Sequence, residues 1–253
     1  MVVLGCGYAG EAVARQARDE GREVVVTSRR AERSAELAGR GFRVEATPSS
    51  ATEAATLCRG AFVVVAFPPD GTTDQAIADG LVAASGITYL STTGVYPLDA
   101  GLVDDDTAVM IAPSPRAAAR LAAEAAYRAQ GANVLRAPGI YGPDRGLHVR
   151  VVRGDHRIPG DGARFLSRIH VEDLATFVLA SERTRGETFV VGDAEPARHI
   201  DVVRWICREH GVPEPPSVPL ETVHETLRGD RRVEASRALR VLGVTLRYPT
   251  YRE

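Results

Sequence analysis

A short apolar run, Val2-Val3-Leu4, leads into Gly5-Cys6-Gly7-Tyr8-Ala9-Gly10. An alanine-rich segment with helical spacing follows from Glu11 to Glu20, and a second apolar run occupies Glu23 to Ser28. Strand, glycine turn, helix and strand in that order make one βαβ unit, and each glycine has a steric purpose. The first makes a tight turn, the second lets the backbone approach a pyrophosphate, and the third lets the helix pack on the strand. Free N–H groups and the positive helix end then hold the anion. The flanking context therefore reads as a dinucleotide site, with Gly5, Gly7, Tyr8, Ala9 and Gly10 as its cradle.

The alternation continues. Ala31 to Gly41 reads as a helix and Phe42 to Ala46 as a short strand. Ser49 or Ser50 caps a helix to Cys58. Ala61 to Phe67 is a buried strand stopped by Pro68-Pro69. Asp74 to Ser85 is a helix, Ile87 to Ser91 a strand, Pro115 to Gly131 a long alanine-rich helix and Ala132 to Arg136 a strand. Pro213 to Pro219 reads as a rigid connector between helices. Regular strand–helix alternation predicts an α/β chain, a Rossmann-type doubly wound parallel sheet with a smaller C-terminal substrate-binding region. Ligands in such sheets sit beyond the carboxyl ends of the strands. Those ends are Gly5–Gly10, Ser28–Arg30, Phe67–Asp70, Ser91–Tyr96 and Ala137–Pro143.

Composition narrows the function classes. The chain has 253 residues, 44% hydrophobic and 25% charged, with a net charge of −2. That balance gives no global attraction to nucleic acid or to a membrane surface. No apolar run reaches the roughly 18 residues of a membrane span. The apolar start lacks a basic leader and reads as the first strand, not a signal peptide. The three cysteines, Cys6, Cys58 and Cys207, are far apart and form no CxxC, and the six histidines show no metal-ligand spacing. No metal site is expected, and a reducing cytoplasm fits. All 31 basic residues are arginine, so any mechanism that needs a lysine from this chain is excluded.

Three further stretches carry a resemblance: Ser91-Thr92-Thr93-Gly94-Val95-Tyr96, Leu135 to Pro143, and Arg168-Ile169-His170-Val171-Glu172-Asp173-Leu174-Ala175. With the glycine turn and the tail from Leu242 to Arg252, they resemble an extended short-chain dehydrogenase/reductase of the NAD-dependent epimerase/dehydratase type. The resemblance implies a dinucleotide-binding domain over 1–143 and 170–192. It also implies a substrate-binding region over 144–169 and 193–253. It places Phe67, Pro68, Ala137 and Pro138 beside the cofactor, and Tyr141, Arg145, Arg168 and His170 on the substrate side. Monomer and homodimer are both open.

The chain departs from that family where the chemistry is done. The family uses a Tyr-x-x-x-Lys on the helix after the serine/threonine strand. Here the spacing is kept by Arg116-Ala-Ala-Ala-Arg120. Arginine stays protonated at any working pH, so neither residue serves as a proton-transferring base. The remaining candidates are Thr92 and Thr93, which follow the strand, and Tyr96, expected in a loop lining the site. Tyr96 beside an arginine is the best available acid; the alternative is that it only packs or hydrogen-bonds. Asp104-Asp105-Asp106 reads as a solvated turn.

At the end of the second strand, NAD binders usually carry an acid for the ribose 2′-OH. Here the place reads Thr27-Ser28-Arg29-Arg30. Ser28, Arg29 and Arg30 suit a 2′-phosphate, so NADP is favoured and NAD stays possible; the alternative is solvated arginines at a helix start. From Asp144 to Arg168 six arginines stand against three aspartates, which suits an anionic small-molecule substrate or else an exposed loop. Three functions remain open: an NADP-dependent oxidoreductase or epimerase on a nucleotide-sugar-like substrate, a non-catalytic redox sensor, and a scaffold with a structural cofactor.

Overall fold

The computed structural model describes residues 1–253. The first half is β1 (Val2–Leu4), α1 (Tyr8–Asp19), β2 (Val25–Thr27), α2 (Ala31–Gly39), β3 (Arg43–Glu45), α3 (Ala51–Cys58), β4 (Phe62–Val65) and α4 (Thr73–Ala78). Then come β5 (Gly86–Thr92), α5 (Pro115–Arg128), β6 (Asn133–Ala137), α6 (Leu147–Val152), α7 (Val171–Ala180) and β7 (Thr188–Val190). The seven strands form one sheet in the order β7-β6-β5-β4-β1-β2-β3. Every pairing is parallel. Strand order reverses between β1 and β4, which opens a crevice at the carboxyl ends there.

Side chains alternate across the sheet, and the core splits accordingly. Val3, Val26, Val64 and Leu135 face α1 and α7, packing on Val13, Ala17, Phe177 and Val178. Val2, Leu4, Val63, Val65 and Val134 face the other way, onto Ala54, Cys58, Ile77, Leu81 and Tyr127. Continuous apolar runs such as Phe62-Val63-Val64-Val65 are needed because both faces are covered. Ser50 caps α3 by accepting from the Glu53 N–H, and Pro115 opens α5.

The expected helix from Asp74 to Ser85 is broken. α4 ends at Ala78 and a 3₁₀ turn covers Asp79–Ala83. Gly80 packs so tightly that a Cβ there would lie 2.0 Å from the Ala51 carbonyl oxygen.

The C-terminal half builds a cap. Its core is Val151, Ile158, Val202, Val203, Ile206 and Tyr251, between α6 and α8 (His199–His210). The Pro213–Pro219 segment does not join two helices. Ser217–Val218 pairs with Ile158–Pro159, and two 3₁₀ turns lead on to Arg231–Val233, which pairs with Gly101–Val103. α9 (Ser236–Leu242) packs back on the sheet side through Ala238 and Leu242. The chain after Asp193 therefore divides between cap and main core. No helix is long and apolar enough to cross a membrane.

Candidate active site

The glycine turn has the geometry of a pyrophosphate cradle. Gly5 sits at φ +86°, and a Cβ there would lie 2.6 Å from the Phe67 Cβ. A Cβ on Gly10 would lie 2.7 Å from the Gly5 carbonyl oxygen. At Gly7 nothing lies within 4 Å, and no side chain caps the α1 N-terminus it begins. Two glycines are required by packing and the third leaves open space before unpaired amides, which is where a dinucleotide pyrophosphate fits. Phe67 is buried behind Gly5 and acts through the turn, whereas Pro68 is exposed. Cys6 is sealed by burial, which pushes its thiol up to about 12.

Tyr8 bridges this turn and the cap. Its hydroxyl is buried without a partner, and it would lie 2.3 Å from a Cβ on Gly142. The Arg145 guanidinium lies 5.1 Å from the Tyr8 ring centroid. Burial first, then the nearby Asp144 carboxylate, push the phenol up to about 12.

At the β2 end the two arginines differ. Arg29 is ion-paired with Asp70, a carboxylate brought in from the loop after β4. Hydrogen bonds from the Thr73 hydroxyl and amide hold Asp70 well below the usual carboxylate range. Arg30 is exposed, and the Ser28 hydroxyl accepts from the Arg30 N–H at 3.3 Å. Two residues absent from the sequence reading help to set this corner. Arg33 donates to the Cys6 carbonyl at 3.1 Å and pairs with Glu11 at 2.5 Å, fastening α2 to the turn.

The catalytic candidates separate sharply. Thr93 lines the cavity described below. The Thr92 hydroxyl instead accepts from the Gly94 N–H at 3.0 Å, shaping the turn. Arg116 is exposed. Arg120 folds against the sheet, donating to the Tyr89 hydroxyl at 2.8 Å and the Leu90 carbonyl at 3.1 Å. Tyr96 does not line the site: it is fully buried, and its hydroxyl accepts from Arg136 at 2.9 Å. Burial raises its phenol, and Arg136 only partly opposes that. The neighbouring turn is solvated only in part, at Asp106, which is exposed. Asp105 is largely buried, accepting from the Val190 N–H and from Arg237.

A cavity of about 830 Å³ opens where β5 and β6 end, bounded by Thr93 and Pro138 there and by the cap beyond. Tyr141, Arg145, Arg168 and His170 all line it, as do Arg150 and Arg231. Ala137 is buried in the last residue of β6, one step behind Pro138. Glu253 is the one acidic residue in the lining. Five of the six histidines face the cavity: His148, His156, His170, His199 and His210.

Two buried polar pairs stand in its wall. Arg168 and Asp193 approach to 3.8 Å without a hydrogen bond. Burial pushes the Asp193 carboxyl up to about 7, with Arg168 opposing. His156 and His199 share an Nε2–Nε2 contact of 2.8 Å. Burial, helped by nearby arginines, lowers them to about 4 and about 3, so both are neutral. No group of three histidine, cysteine or acidic side chains is placed to hold a metal ion. His156 and His199 carried no motif in the sequence, and only their shared cavity marks them; Tyr248 and Tyr251 belong to the tail that carried the resemblance, without a site role assigned there.

Residues 1–81 match the family described as NADP oxidoreductase, coenzyme F420-dependent. Among solved structures, a functionally unknown conserved protein from Silicibacter pomeroyi is 28% identical, with a TM-score of 0.85 over 99% of this chain and 94% of that one. The fold is that of the UDP-sugar epimerases. MoeE5, in complex with UDP-glucose and NAD, aligns at 21% identity and a TM-score of 0.77, over 97% of this chain and 93% of its own. A UDP-N-acetylglucosamine 4-epimerase from Bacillus cereus aligns at 16% identity and a TM-score of 0.78, over 98% and 93%. The expected likeness to NAD-dependent epimerase/dehydratase structures therefore extends over essentially the whole chain as a likeness of fold. Comparison with curated proteins gives no match.

Proposed function

We propose that this protein is a nicotinamide-dinucleotide-binding oxidoreductase or epimerase-like enzyme for an anionic, nucleotide-sugar-like substrate, and that NADP is its preferred dinucleotide. One observation carries the reading. A single cavity joins Thr93 and Pro138, just past the ends of β5 and β6, to Arg145, Arg150, Arg168 and Arg231. Arginine forks recognise phosphate and carboxylate oxygens in bidentate fashion. That UDP-glucose and NAD accompany MoeE5 supports the same class of ligand.

When bound, the dinucleotide supplies hydride chemistry. The chain supplies the rest. The open amides of Tyr8 and Ala9, just past Gly7, hold the pyrophosphate, Thr93 offers a hydroxyl at the end of β5, and the arginines orient the substrate anion while the cap excludes water. NADP rests on Ser28 and Arg30; β2 itself ends in no acid, and the one carboxylate at this corner, Asp70, is held by Arg29. Arg29 contributes only by exchanging Asp70 for a 2′-phosphate.

The tests are thermal shift and calorimetry. NADPH is expected to raise the melting temperature more than NADH at equal concentration, because bound ligand stabilises by mass action. A larger shift with NADH overturns the NADP assignment. UDP-glucose is expected to bind the cofactor-loaded protein, and no heat of binding overturns the substrate class. A second reading, a non-catalytic redox sensor, is favoured by one observation: Tyr96 and Arg120 both turn into the protein. Tight NADPH binding with no single-turnover oxidation by any carbonyl or sugar-nucleotide substrate would select it.

A further inference from the structure

His170 ends the strand Arg168–His170 and begins α7. Its Nδ1 accepts the Glu172 backbone N–H at 3.3 Å. A backbone amide only donates, so Nδ1 is unprotonated, and the proton of a neutral imidazole sits on Nε2. The ring is held on further sides. Tyr248 lies against its face at 3.6 Å between centroids, and Tyr141 meets it edge-on at 5.1 Å. Tyr248 is itself fixed, its N–H on Asp173 at 3.0 Å and its hydroxyl on Glu172 at 3.2 Å.

All three rings line the cavity, and Nε2 has no protein partner and is not sealed off from it. Burial favours the neutral ring against the opposing pull of the nearby acids. Burial lowers its pKa, Glu172 and Asp173 raise it, and Arg247 and His148 lower it. A second proton on Nδ1 would also displace the amide that caps α7.

We propose that His170 is an oriented, uncharged hydrogen-bond donor whose Nε2–H fixes an accepting substrate oxygen, such as a carbonyl, carboxylate or phosphate oxygen. The inference rests on the reading of this cavity as the substrate site. The arginines supply charge without fixing which oxygen is held; the rigid imidazole supplies direction without adding charge. His170 does not pass a proton on, because doing so through Nδ1 would uncap the helix. It determines specificity, and its effect on binding is flat across neutral pH.

Two variants separate the donor from the cap. Asn is a good N-cap, so His170→Asn keeps an acceptor for the Glu172 N–H but loses the distal N–H. His170→Gln places an N–H near the lost Nε2 position. UDP-glucose binding to the NADPH-loaded protein is measured by calorimetry from pH 6 to pH 8. His170→Asn is expected to weaken it about tenfold or more, since an acceptor is left unmatched. His170→Gln is expected to recover part of that loss, and NADPH affinity to stay unchanged in both. Unchanged UDP-glucose affinity in His170→Asn overturns the proposal.

Independently, long-range ¹⁵N–¹H spectra of the histidine rings are expected to show His170 in the Nε2–H form throughout that pH range. An Nδ1–H or doubly protonated ring overturns the proposal whatever binds. If UDP-glucose does not bind the unmodified protein, the nucleotide-sugar reading falls, and the ring spectra alone decide the donor.

Discussion

Two arginine–carboxylate pairs are buried in this protein, and they are built in opposite ways. Behind the sheet, Arg136 grips Glu124 with two hydrogen bonds, at 3.1 and 2.7 Å, and gives its third nitrogen to Tyr96. Ser91 adds a third contact to the carboxylate at 2.5 Å. Burial opposes ionisation of Glu124, yet Arg136 holds it below the usual carboxylate range. In the cavity wall, Arg168 and Asp193 make no such bond, and both Asp193 oxygens lack partners. There burial wins: Asp193 is raised and Arg168 lowered. A saturated pair specifies a framework. An unsaturated one beside a cavity keeps its polar capacity where a ligand arrives.

The largest expected effect tests that contrast directly. Glu124→Ala leaves a buried guanidinium uncompensated and is expected to cost about 3–5 kcal/mol in urea unfolding. Asp193→Ala removes a partner that makes no hydrogen bond, and should cost roughly 1–3 kcal/mol. Equal losses would break the comparison.

Next comes pH. His156 and His199 titrate lower when folded than the ordinary value of about 6.5, so the unfolded chain binds more protons below that value. Stability is therefore lost as pH falls from about 6.5 toward about 4, at up to about 1.4 kcal/mol per pH unit for each proton. Asp193 has the opposite sign. Its folded pKa is raised to about 7, so its contribution is present below the usual carboxylate range and lost as pH rises through 7. Asp193→Asn should thus steepen the loss on acidification between pH 7 and pH 4.5. An unchanged slope would show that Asp193 does not carry the shift.

Tyr96→Phe should cost about 1 kcal/mol through its lost bond to Arg136, with NADPH affinity and any turnover unchanged. A strong loss of turnover at full stability would restore Tyr96 to the chemistry. The smallest effect is expected at the β2 end. Arg30→Ala should narrow the NADPH-over-NADH preference by a few-fold, and Arg29→Ala by less, because Asp70 already neutralises Arg29. The reverse order would show that Arg29 abandons Asp70 for the phosphate.

The sequence by itself determined the βαβ unit, the parallel sheet and the turn at Gly5, Gly7 and Gly10. Those follow from local rules: glycine sterics, doubly buried valine runs, a serine cap and a proline at the first helical position. It also excluded a lysine-dependent mechanism outright. Tertiary structure decided what each side chain faces. Tyr96 and Thr93 lie three residues apart, yet one is locked on Arg136 and the other borders the cavity. Asp70 reaches Arg29 across 41 positions, and His156 meets His199 across 43. No periodicity encodes such meetings, because they depend on how separate elements cross after the sheet has closed.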